Sequence, residues 1–461
     1  MSVPSTPAHP YIPNSAAGVK REMLDAIGVD SVEDLLSVIP EKLRLDRDLD
    51  LPPALVAESD LDRHMTRVLG ANRPAADAIS FLGSGTYHHY VPAVCSEVNS
   101  RAEFLTAYAG EAYEDHGKWQ AIFEYTSLMA DLLEMDVVNV PTYDGYQALA
   151  TALRMAVRIT GRSRVLVPAT LEAAKRERID AFLAGVAQPV TVPCDPESGT
   201  LDTGFITAQL DDTVAAVLVE TPNYRGCIET DAPDIARSAH AAGALLVCAT
   251  DPISLGYLPA PASWGADIVC GDIQSLGLGM HFGGANGGFI ATHDDERFVY
   301  EFPSRLFGLA STRVDGELGF VDVAYERTSL AMRDQGVEWV GTAAALWGIT
   351  AAVYLAQLGP AGMAELGRTI AANTRFAITR IEQVPGVRVV DAGHPHWREF
   401  LIEYAGHDAA EVNAALLAAG IHGGAPAPEV FGPAAAENQA VFCVTEQTTA
   451  DDLAALTDIL R

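Results

Sequence analysis

Three apolar runs between residues 213 and 272 constrain this chain more than any other feature. TVAAVLVET (213–221), LLVCATD (245–251) and ADIVCGD (266–272) carry apolar side chains at successive positions. An extended segment of that kind needs cover on both faces, which a strand gains in the middle of a parallel sheet flanked by helices. The runs are spaced by helical segments such as DAPDIARSAHAAGA (231–244). They are preceded by SRVLVPA (163–169), the amphipathic stretch LEAAKRERIDAFLAG (171–185) and PVTVPC, and followed by GGFIATH (287–293). The pattern is that of an α/β chain with a mostly parallel sheet. Ligands of such sheets sit beyond the carboxyl ends of the strands. ETPNYRG, ATDPISLG and GDIQSLGLGMHFGG are the loops that fall there.

The rest of the chain arranges itself around this block. Residues 1–75 read as a helical arm, with Ser31 as an N-cap and Asp34 in the first turn. Pro40, Pro52 and Pro53 break the arm too often for it to hold a core of its own. Residues 76–335 form the large domain. After it, GTAAALWGITAAVYLAQL turns helical, and GVRVVDAG, EFLIEYAG and AVFCVT supply strands for a smaller α+β domain over 336–461. GGAPAPEVFGPAAAEN reads as a loop within it.

A net charge of −31 repels phosphate, so neither nucleic acid nor an anionic membrane is an expected partner. No apolar run reaches membrane-spanning length, and the N-terminus lacks the basic-then-apolar order of a signal peptide, so the cytoplasm is the expected location. Six cysteines (95, 194, 227, 248, 270, 443) stand without CxxC spacing and read as small buried hydrophobes. Only four lysines occur, Lys20, Lys42, Lys118 and Lys175, and none follows residue 175.

Several segments could carry chemistry. FLGSGTYHHYVP (81–92) gathers Ser84, Tyr87, His88, His89 and Tyr90 in a glycine-containing stretch. Glycine lets backbone approach a ligand, and the side chains offer donors and acceptors; the plain alternative is a structured surface loop. His88 and His89 are adjacent and do not converge on one ion, so no metal site is expected. In TYDGYQALATALRMAV, Tyr143 and Asp144 precede a helix whose free amides suit a phosphate, unless Asp144 simply caps it. Asp251 ends an apolar strand, where a carboxylate needs a partner or caps the turn at Pro252. His281 follows in the glycine-rich loop, where a structural role is the ordinary one.

Taken together, FLGSGTYHHYVP, SRAEFLTAYAGEA, HGKWQAIFEYTSLMADLLEMDV, TYDGYQALA, ETPNYRGCIE, CATDPISLG and GADIVCGDIQSLGLGMHFGG resemble subunit 1 of the two-subunit bacterial glycine decarboxylase, the P-protein of the glycine cleavage system. The resemblance runs in family order along nearly the whole chain. It implies fold type I of the pyridoxal 5'-phosphate (PLP)-dependent transferases, with a mostly parallel seven-stranded sheet. It also implies a homologous subunit 2 that carries the Schiff-base lysine and the PLP, an α2β2 assembly and a lipoyl carrier H-protein. Gln274 falls where that lysine would be, and an amide nitrogen delocalised into its carbonyl is no nucleophile. A reactive amine must then come from the partner or from Lys118 or Lys175. The same resemblance makes Asp251 the acid that meets the ring nitrogen in related enzymes. It makes Ser84, Tyr87, His88, His89, Tyr90, Tyr143, Asp144, Asn223 and the 271–284 loop with His281 candidates for walling the partner's site.

Departures cluster in the loops. Tyr87-His88-His89-Tyr90 replaces a tyrosine-aspartate-histidine-tyrosine order, and AGEAYEDHG replaces a proline-tyrosine-glutamine loop. Gly283-Gly284-Ala285-Asn286 replaces Gly-Gly-Pro-His, and MRDQGVEWVGT, with Glu338 and Trp339, replaces a basic segment before Thr342. Two other readings therefore stand beside the first: a paralogue whose heteromer transforms another amino acid or amine, and a non-catalytic scaffold or regulator.

Overall fold

In the computed structural model every residue is described except 1–8, 10, 48, 75–77, 105–115, 196–197 and 342. The altered stretch 109–115 and Thr342 thus lie outside the described residues. The chain forms two compact units, Met1–Arg73 and Pro74–Arg461. In the first, the helices Ala17–Ile27 and Glu58–Leu69 are separated by a short helix, Val32–Leu35, two 3-10 turns and an irregular stretch. Ser31 caps as expected: its hydroxyl accepts from the Asp34 amide at 3.2 Å, and the Asp34 carboxylate accepts from the Ser31 amide at 2.8 Å. Leu24 is the one buried side chain among this unit's described residues.

The second unit is built on a seven-stranded sheet. In chain order its strands are β1 (Val137–Val138), β2 (Arg164–Pro168), β3 (Gln188–Val192), β4 (Val214–Glu220), β5 (Leu245–Ala249), β6 (Ile268–Asp272) and β7 (Gly288–Thr292). Their spatial order is β1-β7-β6-β5-β4-β2-β3. The pairs β3·β2, β2·β4, β4·β5 and β5·β6 are parallel, whereas β7 runs antiparallel to β6 and to β1. The apolar runs occupy the centre, where every residue of β4 and β5 is buried.

The helices α1 (His116–Leu133), α2 (Gly145–Thr160), α3 (Ala173–Leu183) and α4 (Ala232–Ala241) cover the sheet. From Ala216 to Val219 successive side chains alternate between two cores. Val217 and Val219 pack with Met129 and Leu133 of α1 and Ala236 of α4, while Ala216 and Leu218 pack with Leu149 and Leu153 of α2. Full burial of each Val or Leu contributes about 1.5–3 kcal/mol.

The alanine-rich segment forms α5, Ala345–Ile381, broken at Gly359 (φ +59°) and Pro360. Proline removes an amide donor from the helical ladder and forces the break. Beyond it, β10 (Val387–Val389), β11 (Glu399–Tyr404), β12 (Ala425–Pro426) and β13 (Gln439–Cys443) form an antiparallel sheet in the order β10-β11-β13-β12, while the hairpin β8 (Phe307–Ser311) and β9 (Leu318–Asp322) stands apart. The stretch expected to be a loop, 423–438, instead contains β12 and the helix Ala427–Phe431. Its glycines allow this close packing, since a Cβ on Gly424 would lie 2.3 Å from the Phe442 ring.

The two-residue strand Ile79–Ser80 pairs in parallel with Ile421–His422, and Phe81 is fully buried among Phe400 and Phe442. This anchors the loop after Phe81 to the C-terminal elements. All six cysteines are free thiols, and all but Cys194 are buried.

Gly226 shows how tightly the turn after β4 meets β11. It has φ +81°, and a Cβ there would lie 1.6 Å from the Glu399 carbonyl oxygen. Gly226→Ala is expected to destabilise the fold by roughly 2–4 kcal/mol, read as a fall of several degrees in thermal midpoint. Gly161→Ala has a similar φ but open space around it, and should cost only about 1 kcal/mol.

Candidate functional site

The carboxyl ends of β4, β5 and β6 open into a cavity of about 330 Å³. Each of these neighbouring strands brings an acid to it: Glu220 ends β4, Asp272 ends β6, and Asp251 lies two residues past β5. The local sequence explains the placement. Each strand is apolar until it leaves the core, and the first polar side chains appear at its open end.

Asp272 closes the amino terminus of α2. Its Oδ2 accepts from the Gly145 amide at 2.7 Å, and its Oδ1 accepts from the amides of Gln274 at 2.8 Å and Gly287 at 3.3 Å. Asp144 caps the same helix by accepting from the Gln147 amide at 2.7 Å. Glycine is required at 145, where a Cβ would lie 2.8 Å from the Asp272 Cβ. Charge-assisted bonds are worth about 1.5–3 kcal/mol each, and a helix terminus adds up to about 2 kcal/mol. Burial still prevails and lifts the Asp272 carboxyl to about 6, although the three amides pull it down.

Asp251 is equally committed. Its Oδ1 accepts from the Ile253 amide at 3.2 Å and the Ser275 hydroxyl at 3.1 Å, and its Oδ2 accepts from the Trp397 indole at 3.0 Å and pairs with Arg398 at 3.1 Å. The Arg398 guanidinium lies 3.1 Å from the centroid of the Tyr87 ring and meets His89 Nε2 at 3.0 Å. His89 Nδ1 in turn meets Glu446 at 2.7 Å. A chain of polar contacts thus runs from Glu446 through His89 and Arg398 to Asp251, stabilising groups too costly to bury singly.

Gln274 is locked into the loop that follows Phe81. Its Oε1 accepts from the Tyr87 amide at 3.0 Å, while its Nε2 donates to the carbonyls of Tyr87 at 3.1 Å and Gly279 at 2.7 Å. Glu399 accepts from the Ser84 amide at 2.6 Å and the Tyr87 hydroxyl at 3.2 Å. Burial raises its carboxyl to about 7, against the pull of Arg398 and these two donors.

On the far wall, Lys175 Nζ of α3 donates to Glu220 Oε1 at 2.5 Å and lies 4.4 Å from the Tyr224 ring centroid and 5.4 Å from that of Tyr146. A cation held by a carboxylate and two ring faces has no lone pair to offer a carbonyl. Lys118, buried in α1, does not line the cavity.

Of the candidates read from sequence, the cavity gathers Ser84, Tyr87, Asp144, Asp251 and Gln274. His89 stands behind Arg398. His88 lines a separate cavity beside Thr445, and Tyr90 is exposed. Tyr143 is half-exposed and tilts against Trp339. His281 packs on Trp347. Asn223 is buried in its own turn, bonded to Gly199, Arg225 and Cys227. Glu338 and Trp339 do not line the cavity: Glu338 accepts from Ser329, and Trp339 packs on Tyr143 and Phe182. Sequence reasoning missed Glu220, which a rule seeking the first acid after an apolar run would have found, and took in Asp272 only as part of the 271–284 loop. It also missed Arg398 and Glu399, more than a hundred residues downstream, for which no local signal exists.

The glycine cleavage system P-protein family model matches residues 9–460. This chain belongs to the glycine cleavage system P-protein family. It is 37% identical over 447 residues to the probable glycine dehydrogenase (decarboxylating) subunit 1 of Geotalea uraniireducens, covering 97% of this chain and 98% of that one. The crystal structure of a glycine decarboxylase (P-protein) in inhibitor-bound form superposes with a TM-score of 0.83, 35% identity and 99% coverage of both chains. A sphingosine-1-phosphate lyase of Burkholderia pseudomallei shares the fold at 15% identity, TM-score 0.64, over 92% of this chain and 93% of that one. The architecture is PLP fold type I, with the mostly parallel seven-stranded sheet expected from sequence.

A PLP site in this fold needs a lysine for the aldehyde, an acid for the ring nitrogen and free amides for the phosphate. The strand-end cavity of this P-protein family member does not fit that group. Gln274 stands turned into a loop, Asp251 is engaged by Arg398 and Trp397, and a tethered carboxylate already holds the Gly145 amide.

Two outcomes follow. Because Glu399 holds its proton more tightly in the fold than in the unfolded chain, its contribution to stability is full below about pH 4.5 and lost as pH rises toward 7. Glu399→Gln should flatten that decline by on the order of 2 kcal/mol in chemical denaturation across the window. Asp272→Ala frees the amides at α2, so inorganic phosphate should raise the thermal midpoint of the variant and leave the parent chain unmoved.

Proposed function

We propose that this chain is the non-lysine, accessory subunit of a heteromeric PLP-dependent glycine decarboxylase. In this reading a homologous lysine-bearing subunit 2 holds the PLP, two copies of each chain assemble as α2β2, and the lipoyl arm of an H-protein takes up the aminomethyl group. The full-length match to proteins named as subunit 1 supports the reading. The observation that carries it is the strand-end cavity, whose three acids are each held by the chain's own groups and where Gln274, read as standing in place of the lysine, is hydrogen-bonded to the Tyr87 loop. When bound in the partner, PLP supplies the electron sink for loss of carbon dioxide. This chain contributes a stable wall: the Tyr87 loop clamped by Gln274 and Glu399, and the aromatic surface of Tyr143 and Trp339. No helix among the described residues is long and apolar enough to cross a membrane, which accords with a complex that works in the cytoplasm.

Purification of this chain alone, of its lysine-bearing homologue alone and of the co-expressed pair tests the reading. Release of labelled carbon dioxide from glycine should require both chains and the lipoyl carrier, with PLP recovered only when the homologue is present. PLP retained by this chain in isolation would overturn the accessory role. Turnover of another amino acid in place of glycine would transfer the reading to a divergent paralogue.

A further inference from the structure

The hairpin of β8 and β9 is anchored at its root and bare elsewhere. Its strands pair only with each other among the described residues, and none of their ten residues is buried. Phe307 and Phe320 hold the root, with ring centroids 5.1 and 6.2 Å from that of Trp119 in α1. A two-stranded ribbon is marginally stable in water by itself, and an apolar one with free edges invites another chain to cover it.

The bare surface continues past the hairpin. Leu309, Val314, Leu318, Tyr325, Leu330 and Trp339 are each between 38% and 63% exposed. Arg305 joins the two halves. It pairs with Asp322 of β9 at 3.1 Å, lies 5.9 Å from the Tyr325 ring centroid, and lines a cavity of about 250 Å³ with Leu330, Trp339 and Gly341. With three more exposed apolar residues between 320 and 332, these leave on the order of 800 Å² in water, larger than the usual apolar patch of a monomer and equal to one side of a standard interface. A recess within such a patch is where an interface seats an anchoring side chain.

Charge and position select the occupant. A second copy of this chain brings the same net charge of −31, so like charge opposes self-pairing. The patch runs into Trp339, whose ring lies 6.0 Å from that of Tyr143, the aromatic surface assigned above to the partner's side. We propose that the β8–β9 hairpin and the segment from Tyr325 to Trp339 form the docking surface for the lysine-bearing subunit, which seats one apolar side chain in the cavity beside Arg305. The inference rests on the accessory-subunit reading and deepens it by naming the face that meets the partner.

Sedimentation of the full chain mixed with its lysine-bearing homologue is the test, with the dissociation constant as readout. Leu318→Asp and Leu330→Asp place a charge in the contact and should each weaken association about tenfold or more. Gly341→Leu fills the cavity from this side, since a Cβ at Gly341 meets nothing within 4 Å, and should weaken association by a similar factor. All three should leave the thermal midpoint of the isolated chain unmoved, because none touches the core. Leu417→Asp, as exposed as Leu330 but on the helix Ala409–Ala418, should change neither quantity. A parent pair that associates, with all three variants binding as the parent does, overturns this surface and leaves the accessory reading intact. A parent pair that fails to associate overturns both. A homodimer of the isolated chain that Leu318→Asp dissolves gives the surface to a second copy and overturns the proposal as well. Should one variant fail to fold, the other two decide.

Discussion

A carboxylate at the end of one strand holds the amino terminus of the helix beside it, and much of the site follows from that contact. The free amides of a helix terminus form an anion site whether or not a ligand arrives. Here Asp272 fills it from within, bonded to Gly145 and to the amides of Gln274 and Gly287 near either end of the loop between β6 and β7. A tethered anion has no translational freedom to lose, so a free phosphate competes at a disadvantage. The same bonds tie α2 to the sheet and set the course of the loop that carries Gln274.

The other strand-end acids repeat the principle. Asp251 is neutralised by Arg398, and Glu220 by Lys175, so groups that could have faced a cofactor become part of the structure. Gln274 completes the change. Its amide bridges both backbone polar groups of Tyr87, a task that a lysine could not perform because it has donors only. The bonds that fix the Gln274 side chain are thus the same ones that hold the Tyr87 loop in place. Together these contacts turn a catalytic fold into a well-fixed surface, which is what a subunit acting on a neighbour's site requires.

The fold was legible because its signals are local and redundant. Apolar runs at β4, β5 and β6, with helical segments between them, admit few architectures. Asp144 and Ser31 cap helices as their neighbours in sequence suggest. The site was legible only in part. Ser84, Tyr87, Asp251 and Gln274 line one cavity, but Asn223 satisfies its own turn and Tyr90 faces solvent. Tyr87 and Tyr90 look alike in sequence, and only the course of the loop separates them. Arg398 and Glu399 enter from β11 and the residue before it, through contacts spanning more than three hundred positions with Ser84, Tyr87 and His89. The short helix at Ala427–Phe431 was hidden by prolines and glycines that usually mark loops, and close packing against Phe442 overrode them.

The account rests on Asp272 standing where a phosphate would otherwise be received. A structure of this chain with its lysine-bearing partner, determined with PLP in excess, examines that point directly. The account predicts the Asp272 carboxylate on the Gly145 amide, with cofactor density confined to the partner chain. A phosphate group bonded to Gly145, with Asp272 swung aside, would contradict it.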